Sequence, residues 1–509
     1  MAITVLIKKI VRDHPVIAAE AYKIARKFWS LKANFIQFDK PGAGASALNE
    51  KQLLEYNKNR IFGPRKKVCY APFNNLHFRT DGTVAACSFN LDHKIGDIKE
   101  ESITAIWNSE RMNAFREMLS KADLSKCGNC LGLLRKGNYE SAPPSKYDWY
   151  STESSDWPTQ MSFEISNRCN LECIMCTGEY SSSIQLNREK VPCSPYVYPK
   201  DFPAQLHPFL PHLKTVSFIG GEPTMIPVYY EIWENLIASN DSCEIHVQTN
   251  AVHFNSKFWE LLESGQFSIG ISMDAVTPTL FESIRVNASY KRVLENIEKL
   301  TQLKNRGKVH LNINFCAMAV NLHELPAMLQ FCNERGLSLK IVNVDSPTNL
   351  SLSHQKPFFF DQLKNNLSSL APPGRGNVIA IRNYRTCEQF MNTVNAYHIE
   401  AIHKEERLKS LINLSLAELL NLLREEIEHN QFYRFFDGNQ KTDLLIKLTD
   451  YFAKIPANKN TVMAAELLIY SSSLKGNMLE DKSIEDCFNS FVLKVEGWLA
   501  RERNPQWIN

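Results

Sequence analysis

Short apolar runs alternate with helical patterns across the middle of the chain, between residues 161 and 346. The runs are rich in β-branched residues and end at turn-forming residues, which is typical of buried strands. Between them, apolar residues recur every three or four positions, which predicts amphipathic helices. Because strands that alternate with helices form parallel sheets, this region is expected to be an α/β domain. Its predicted strands are MSFEIS, TVSFIG, EIHVQT, FSIGISM, VHLNINF and LKIVNV.

These six strand–helix units are too few for the eight strands of a complete TIM barrel. The helices predicted between the strands are VYYEIWENLIAS, SKFWELLES, YKRVLENIEKLTQL and ELPAMLQFCNERG. After residue 346 the strand pattern stops, and LAELLNLLREEIEHN, KTDLLIKLTDYFAKI and TVMAAELLIYSSSL have helical periodicity. Residues 347–509 are therefore expected to form a mainly α-helical C-terminal region.

The first 68 residues form a basic segment in which apolar residues have helical spacing. They contain fourteen Lys and Arg against five Asp and Glu, and Ile3, Leu6, Ile7 and Ile10 follow that spacing. A helix that packs on the rest of the protein is expected, and a helix that lies on an anionic membrane surface is the alternative. Aromatic and basic residues do not interleave in a known RNA-binding pattern, so no nucleic-acid partner is expected.

Length and composition favour a multidomain globular protein of the cytoplasm. The chain has 509 residues, 44% of them hydrophobic and 22% charged, and no apolar run approaches the ~20 residues that span a bilayer. Lys8, Lys9 and Arg12 interrupt the N-terminal apolar stretch, so it lacks the order of a secretory signal. Since cytoplasmic thiols stay reduced, the thirteen cysteines are expected to include metal ligands rather than disulfides.

Three cysteines, Cys169, Cys173 and Cys176, lie in NRCNLECIMC, directly after the first predicted strand. Three thiolates on one loop can ligate three irons of a four-iron cluster, which leaves one iron without a protein ligand. A structural zinc site needs a fourth ligand, and the following TGEYSSSIQLNREK offers no Cys or His. An open iron suits a ligand that is also a reactant.

At these residues the chain resembles the radical S-adenosylmethionine (SAM) superfamily, and the resemblance covers residues 161–346. It implies a partial (β/α)6 barrel whose three-cysteine loop holds a [4Fe-4S] cluster that binds SAM. GGEPTM is similar to the family's Gly-Gly-Glu motif, which implies that Gly220 and Gly221 let the backbone approach the methionine moiety. Glu222 would then receive the ammonium group of the methionine.

Four further residues are expected to contact the cofactor. SMDAVTPTLFESIR is similar to the family segment after the fourth strand, where a Ser contacts SAM and a helix-borne Arg meets its carboxylate. Ser272 and Arg285 occupy those places. Asn250, which ends the third strand, and Asn321, which follows the fifth, also lie at carboxyl ends of strands, where barrel active sites form.

A second set of cysteines precedes the barrel. Cys69 and Cys87 flank two strand-like runs around Asp81 and Gly82, and Cys127 and Cys130 follow in KCGNC. Residues 69–140 resemble the SPASM and twitch modules of radical SAM enzymes, which implies one auxiliary [4Fe-4S] cluster. Such modules usually follow the barrel, whereas this one precedes it. A zinc site fits the four thiolates equally well on ligand chemistry alone. A polar linker is predicted over residues 141–160, and the six other cysteines are expected to be buried thiols.

The resemblance implies an enzyme that cleaves SAM reductively and takes a hydrogen atom from a substrate carbon. It favours oxidation or cross-linking of a ribosomal peptide or protein, with electrons from a flavodoxin- or ferredoxin-type donor. A small substrate such as a carbinol or a sugar is an alternative. A non-catalytic iron-sulfur protein for electron transfer or assembly is another, although an electron carrier has no need of Glu222, Ser272 and Arg285.

Overall fold

The computed structural model describes the chain in several stretches, which fall into two compact units. The described residues are 33, 47–60, 62–139, 142–150, 156–367, 377–430, 433, 436–473, 483, 485–492 and 495. The first unit comprises Met1–Asn343 with Leu367–Phe390, and the second comprises Val344–Asn366 with Met391–Asn509. Most of the predicted basic segment, including Ile3 to Ile10, lies outside the described residues. No helix of the described stretches is both long and apolar enough to cross a membrane.

The first unit is built on one sheet of nine strands. The strands are β1 (Asn75–Phe78), β2 (Thr83–Ala85), β3 (Lys94–Asp97), β4 (Gln160–Phe163), β5 (Thr215–Phe218), β6 (Glu244–Thr249), β7 (Gln266–Ser272), β8 (Val309–Ala317) and β9 (Ser338–Asn343). Their spatial order is β3-β2-β1-β4-β5-β6-β7-β8-β9. Strands β4 to β9 pair in parallel with their neighbours, which confirms the six predicted strands and the partial barrel.

The hairpin of the cysteine-bearing N-terminal segment extends this sheet. Strands β1 and β2 pair antiparallel around Asp81 and Gly82, as predicted, and β1 then pairs in parallel with β4. His77 of β1 thus stands beside Ser162 of β4. The segment that carries the first cysteines and the barrel therefore share one continuous sheet, which the sequence did not predict.

The helices of the first unit follow the predicted alternation. They are α1 (Glu50–Asn59), α2 (Ala71–Asn74), α3 (Ile103–Trp107), α4 (Glu110–Ser120), α5 (Gly128–Arg135), α6 (Pro144–Tyr147), α7 (Ser182–Ile184), α8 (Phe202–Leu206), α9 (Pro227–Ser239), α10 (Ser256–Ser264), α11 (Pro278–Ile284), α12 (Tyr290–Asn305) and α13 (Leu325–Glu334). A π-helical turn (Gln185–Glu189) continues α7, and Pro223–Met225 and Leu322–Glu324 form 3₁₀ turns.

The two faces of the barrel strands differ in chemistry. The apolar face lies under the helices: Phe163 stacks on Phe78 and on Phe218, with ring centroids 5.2 and 4.9 Å away. Phe218 in turn meets Tyr229 and Trp233 of α9. The opposite face carries mostly polar side chains that are half-buried, such as Ser162 on β4, which alternates with buried Met161 and Phe163. Parallel barrels carry their helices outside, so the polar face is the inner face of the barrel.

The described part of the predicted linker is folded onto the first unit. Asp148 is buried and forms an ion pair with buried Arg60, with 2.6 Å between Nη2 and Oδ1. The Asn74 side chain donates a hydrogen bond to the carbonyl oxygen of Tyr147 in α6. Residues 142–150 therefore belong to the packed structure around the hairpin.

The described part of the second unit is helical, as predicted for the C-terminal region. Its helices are α14 (Pro357–Leu367), the C-terminal part of α15 (Val378–Leu411), α16 (Leu416–His429), α17 (Gly438–Lys454) and α18 (Ala457–Ser473). Buried side chains at helical spacing, such as Leu419, Leu423 and Ile427, form its core. Ser415 begins α16 with a capping box to Glu418, which satisfies backbone donors of the first turn.

Candidate active site

The three-cysteine loop follows β4 and is held by backbone pairing and by one arginine. Ile174 N donates to Ile284 O at the end of α11, with an N–O distance of 3.0 Å. Arg188, from the π-helical turn, donates to the carbonyl oxygens of Cys173 and Cys176 at 3.2 and 2.9 Å. Because these bonds fix backbone carbonyls, the loop conformation does not depend on the thiols themselves.

The three thiols are free and largely withdrawn from solvent. Burial raises the pKa of Cys169 to about 12, and Glu222 and Cys173 add to the rise. Burial also raises the pKa of Cys176 to about 11, again with a contribution from Cys173. The thiols are thus within electrostatic reach of one another, and as thiolates they need a cationic partner. Three such ligands on one ordered loop fit a [4Fe-4S] cluster.

A buried arginine adjoins this set. Arg285 forms an ion pair with Asp274, with 2.7 Å between Nη2 and Oδ2, and its Nη1 lies 3.7 Å from the Cys173 sulfur. Asp274 also accepts a hydrogen bond from the backbone N–H of Cys316 at 2.8 Å. The Arg285 Nε has no hydrogen-bond partner among the described residues, although it is buried. Since burying an unsatisfied donor is costly, this N–H is suited to an anionic ligand such as the expected SAM carboxylate.

The structure gives Glu222 more protein partners than the sequence suggested. Its Oε1 accepts from the Thr224 N–H and from the hydroxyls of Thr224 and Thr249, and its Oε2 accepts from the Asn250 N–H at 2.7 Å. Burial raises the pKa of Glu222, and these donors oppose the rise. Four bonds occupy the usual acceptor positions of a carboxylate. A contact with the SAM ammonium therefore requires one of these bonds to be exchanged or shared.

The two glycines before Glu222 are needed for packing within the protein. Both have positive φ, 79° at Gly220 and 51° at Gly221. A Cβ at Gly221 would lie 2.3 Å from the backbone oxygen of Arg168, and one at Gly220 would lie 2.7 Å from Glu164 Cγ. The Glu222 N–H also donates to the Arg168 oxygen at 2.7 Å. The glycine turn thus locks directly onto the three-cysteine loop.

The other three predicted contacts lie at different depths. Asn250 is buried, and its Nδ2 donates to Asn170 in the cysteine loop at 2.9 Å. Ser272 is half-buried on the inner face and accepts a hydrogen bond from Gln248 at 2.7 Å. Asn321 is fully buried, and its amide bonds to the backbone at Met318, Asp274 and Cys316. The structure thus places Asn250 and Ser272 toward the site, whereas Asn321 holds the backbone behind Asp274.

The four cysteines of the N-terminal module come together. Burial raises the pKa of Cys69 well above its usual value, and the thiols of Cys87, Cys130 and Cys127 add to the rise. Burial likewise raises the pKa of Cys130 to about 12. Cys69 precedes α2, Cys87 follows β2, and Cys127 and Cys130 lie at the start of α5. Two separate pieces of chain therefore supply one set of four thiols.

Hydrogen bonds to sulfur support a cluster at this second set. The Ala71 N–H donates to the Cys69 sulfur at 3.4 Å, the Phe89 N–H to Cys87 at 3.2 Å, and the Asn90 side chain to Cys127 at 3.5 Å. Donors to thiolate sulfur tune the potential of an iron-sulfur cluster. No group of three or more Cys, His, Asp or Glu side chains in the described stretches is arranged around a single metal ion. A four-iron cluster spreads its ligands, because each thiolate bonds a different iron.

Sequence reasoning missed several residues that build these sites. Arg188 and Asp274 act through backbone and ion-pair contacts, and neither belongs to a motif that spacing reveals. Tyr147, which bonds to the Cys87 thiol, lies in the stretch predicted as a linker. Asp274 directly follows the Ser-Met of the quoted SMDAVT segment, so its place at a strand end was the one available signal.

Two family models match the chain. Residues 163–332 match the Radical SAM superfamily, and residues 69–131 match SPASM, an iron-sulfur cluster-binding domain. The two matches cover the three-cysteine loop and the four-cysteine set, respectively. The cofactors that these domains imply are a SAM-binding [4Fe-4S] cluster, SAM itself and an auxiliary iron-sulfur cluster.

Curated relatives share the barrel region. A "Probable GTP 3′,8-cyclase" of Methanocaldococcus jannaschii is 27% identical over 179 residues, which are 35% of this chain and 56% of the relative. A GTP 3′,8-cyclase of Listeria welshimeri is 26% identical over 179 residues, 35% of this chain and 51% of the relative. The chain thus spans about half the length of these relatives.

Solved structures of similar fold have low identity. The enzyme anSMEcpe with bound AdoMet is 19% identical, with a TM-score of 0.32 over 41% of this chain and 58% of that chain. Streptococcus suis SuiB bound to the precursor peptide SuiA is 16% identical, with a TM-score of 0.30 over 51% of this chain and 50% of that chain.

Proposed function

We propose, on the premise that the chain belongs to the radical SAM superfamily and carries a SPASM domain ahead of its barrel, that it modifies a peptide by hydrogen abstraction. The observation that carries this proposal is the loop of Cys169, Cys173 and Cys176 beside the unpartnered Nε of Arg285. When bound, the cluster and SAM supply a 5′-deoxyadenosyl radical that removes a hydrogen atom from a substrate carbon.

The residues of the chain position and protect this chemistry. Cys169, Cys173 and Cys176 would hold the cluster, and Arg285 would bind the SAM carboxylate while Asp274 holds its guanidinium in place. The glycine turn keeps Glu222 and Asn250 against the cysteine loop. Burial of these groups excludes water, which matters because a carbon radical reacts with any accessible C–H bond.

The four-cysteine set would hold the auxiliary cluster. Four protein thiolates leave that cluster no open iron for substrate, so its proposed role is to accept the electron left on an oxidised substrate radical, or to stabilise the hairpin. A flavodoxin- or ferredoxin-type protein would reduce the cluster in the barrel. The zinc alternative for this set is tested below by metal analysis.

A nucleotide is the second candidate substrate, because the curated relatives named above are GTP 3′,8-cyclases. Deuterium transfer separates the two candidates. Cells of the source organism grown in deuterated medium yield an extract that is divided into a peptide fraction and a small-molecule fraction. We expect the cluster-loaded protein to form deuterated 5′-deoxyadenosine with the peptide fraction. Deuterium from the small-molecule fraction alone would overturn the peptide assignment.

A further inference from the structure

The inner face of the barrel is built from uncharged hydrogen-bonding side chains. Strand pairing places Gln248 of β6 beside Gly270 of β7, Gly270 beside Asn312 of β8, and Ser272 beside Asn314. All five positions therefore face the interior on neighbouring strands. Gln248 and Ser272 are half-buried, whereas Asn312 and Asn314 are 6% and 8% exposed.

Four of these side chains form one hydrogen-bonded row, which we call the amide row (Asn312, Asn314, Gln248 and Ser272). Asn312 Nδ2 donates to Asn314 Oδ1 at 2.8 Å, Asn314 Nδ2 donates to Gln248 Oε1, and Gln248 Nε2 donates to Ser272 Oγ at 2.7 Å. The donors all run in one direction. The row therefore ends in a free carbonyl oxygen on Asn312 and a free hydroxyl hydrogen on Ser272, as far as the described residues supply partners.

Gly270 lets the row close across β7. A Cβ at this position would lie 2.7 Å from both Asn314 Nδ2 and Gln248 Oε1, and 3.4 Å from Asn312 Nδ2. Any side chain would therefore separate the amides of β6 from those of β8. The absence of a side chain on the inner face at Gly270 is what joins three strands into one recognition surface.

The amide row lies one layer of side chains below the proposed cofactor site. Asn250, which contacts the cysteine loop, follows Gln248 by two residues, or about 7 Å along an extended chain. Cys316, whose N–H bonds Asp274, follows Asn314 by two residues on β8. A group bound on the row would therefore adjoin the cofactor site. A substrate carbon must occupy such a place to meet a reactive group within a few ångströms.

The charge of the inner face distinguishes between the two candidate substrates. On the six barrel strands, the inward positions carry one acidic side chain, Glu244, and one lysine, Lys340. These charges cancel, whereas a nucleoside triphosphate carries several negative charges that need cationic partners. Carboxamides and a hydroxyl instead match the N–H and C=O groups of a neutral amide.

We propose that the amide row recognises an uncharged amide of a peptide substrate and holds it directly below the cofactor. The Asn312 oxygen accepts from the substrate N–H, and the Ser272 hydroxyl donates to the substrate C=O. This inference rests on the proposed function, since it names what the same site binds.

The test uses the cluster-loaded full chain and a pool of decapeptides that are acetylated, amidated and free of ionisable side chains. Peptide retention is measured by anaerobic ultrafiltration and mass spectrometry in the presence of SAM, for wild type, Gln248→Leu and Asn312→Leu. We expect either substitution to lower retention about tenfold, the effect of losing roughly one hydrogen bond. Ser268→Ala, on the same face of β7 but outside the row, is the matched control and should retain peptides like wild type.

Several results would overturn the proposal. These are wild-type retention no higher than that of both variants, retention of GTP instead of peptides, or loss of SAM binding as large as the loss of peptide binding. Iron content and circular dichroism show that a variant is folded, and the two substitutions lie on different strands, so one misfolded variant leaves the other informative. SAM cleavage without peptide is measured separately. Cleavage without peptide retention would refute the amide row alone, whereas retention without cleavage would refute the proposed function alone.

Discussion

Glu222 illustrates how a residue identified from a motif can serve the protein before it serves a ligand. The sequence predicts a carboxylate for the SAM ammonium, and the structure shows that carboxylate accepting four hydrogen bonds from Thr224, Thr249 and Asn250. These bonds join the glycine turn to the end of β6. The motif could be read from the sequence, but the donors could not, because Thr249 and Asn250 are 27 and 28 residues away.

Glu222→Gln should weaken both stability and SAM binding. A glutamine amide must turn its NH₂ group toward either the Asn250 N–H or the threonine hydroxyls, which leaves a buried donor without an acceptor. The expected loss is about 1 to 3 kcal/mol in the free energy of unfolding. Denaturant unfolding and equilibrium dialysis of SAM measure the two effects, with exposed Glu260→Gln as the control. Unchanged unfolding together with weaker SAM binding would instead make Glu222 a ligand contact only.

At the scale of elements, the strands were predicted well because their apolar, β-branched runs are local signals. The hairpin around Asp81 and Gly82 was predicted for the same reason. The pairing of β1 with β4 was not predictable, because it joins residues such as Leu76 and Met161 that lie far apart in the sequence. The ion pair of Arg60 with Asp148 has the same character, and it folds a stretch whose composition indicated a linker.

The turn between β5 and α9 offers a direct test of how it supports the cysteine loop. Gly221→Ala would place a Cβ 2.3 Å from the Arg168 oxygen, so we expect the loop to shift and the barrel site to lose most of its iron. Gly307→Ala is the matched control, because Gly307 also has positive φ but has nothing within 4 Å of an added Cβ. That control should lose only about 1 to 2 kcal/mol of stability and keep its iron. Equal iron loss in both variants would show that backbone strain, not contact with the loop, is responsible.

At the scale of the whole molecule, two sets of cysteines share one unit but differ in ligand number. Cys169, Cys173 and Cys176 come from one loop, whereas the set containing Cys69 and Cys130 is assembled from separate segments. The spacing of both sets could be read from the sequence. Their surroundings could not, since Arg285, Tyr147 and the amide row reach them only through tertiary packing.

Iron analysis tests whether the four-cysteine set holds a cluster. Anaerobically purified wild type should contain about eight irons per chain, and Cys69→Ala with Cys87→Ala about four, because each cubic cluster holds four irons. Inductively coupled plasma mass spectrometry measures iron and zinc together. Stoichiometric zinc that disappears in the double variant, with iron unchanged at about four, would assign a zinc site and remove the electron-acceptor role.

Reductive cleavage of SAM tests the central claim most directly. Cluster-loaded wild type reduced by dithionite without oxygen should convert SAM to 5′-deoxyadenosine and methionine, as measured by liquid chromatography and mass spectrometry. Cys173→Ala should abolish the reaction because it removes a cluster ligand, whereas Cys193→Ala, which alters an exposed thiol outside both sets, should leave it unchanged. Absence of 5′-deoxyadenosine from wild-type protein that holds the barrel cluster, or its continued formation by Cys173→Ala, would contradict the assignment of this chain as a radical SAM enzyme.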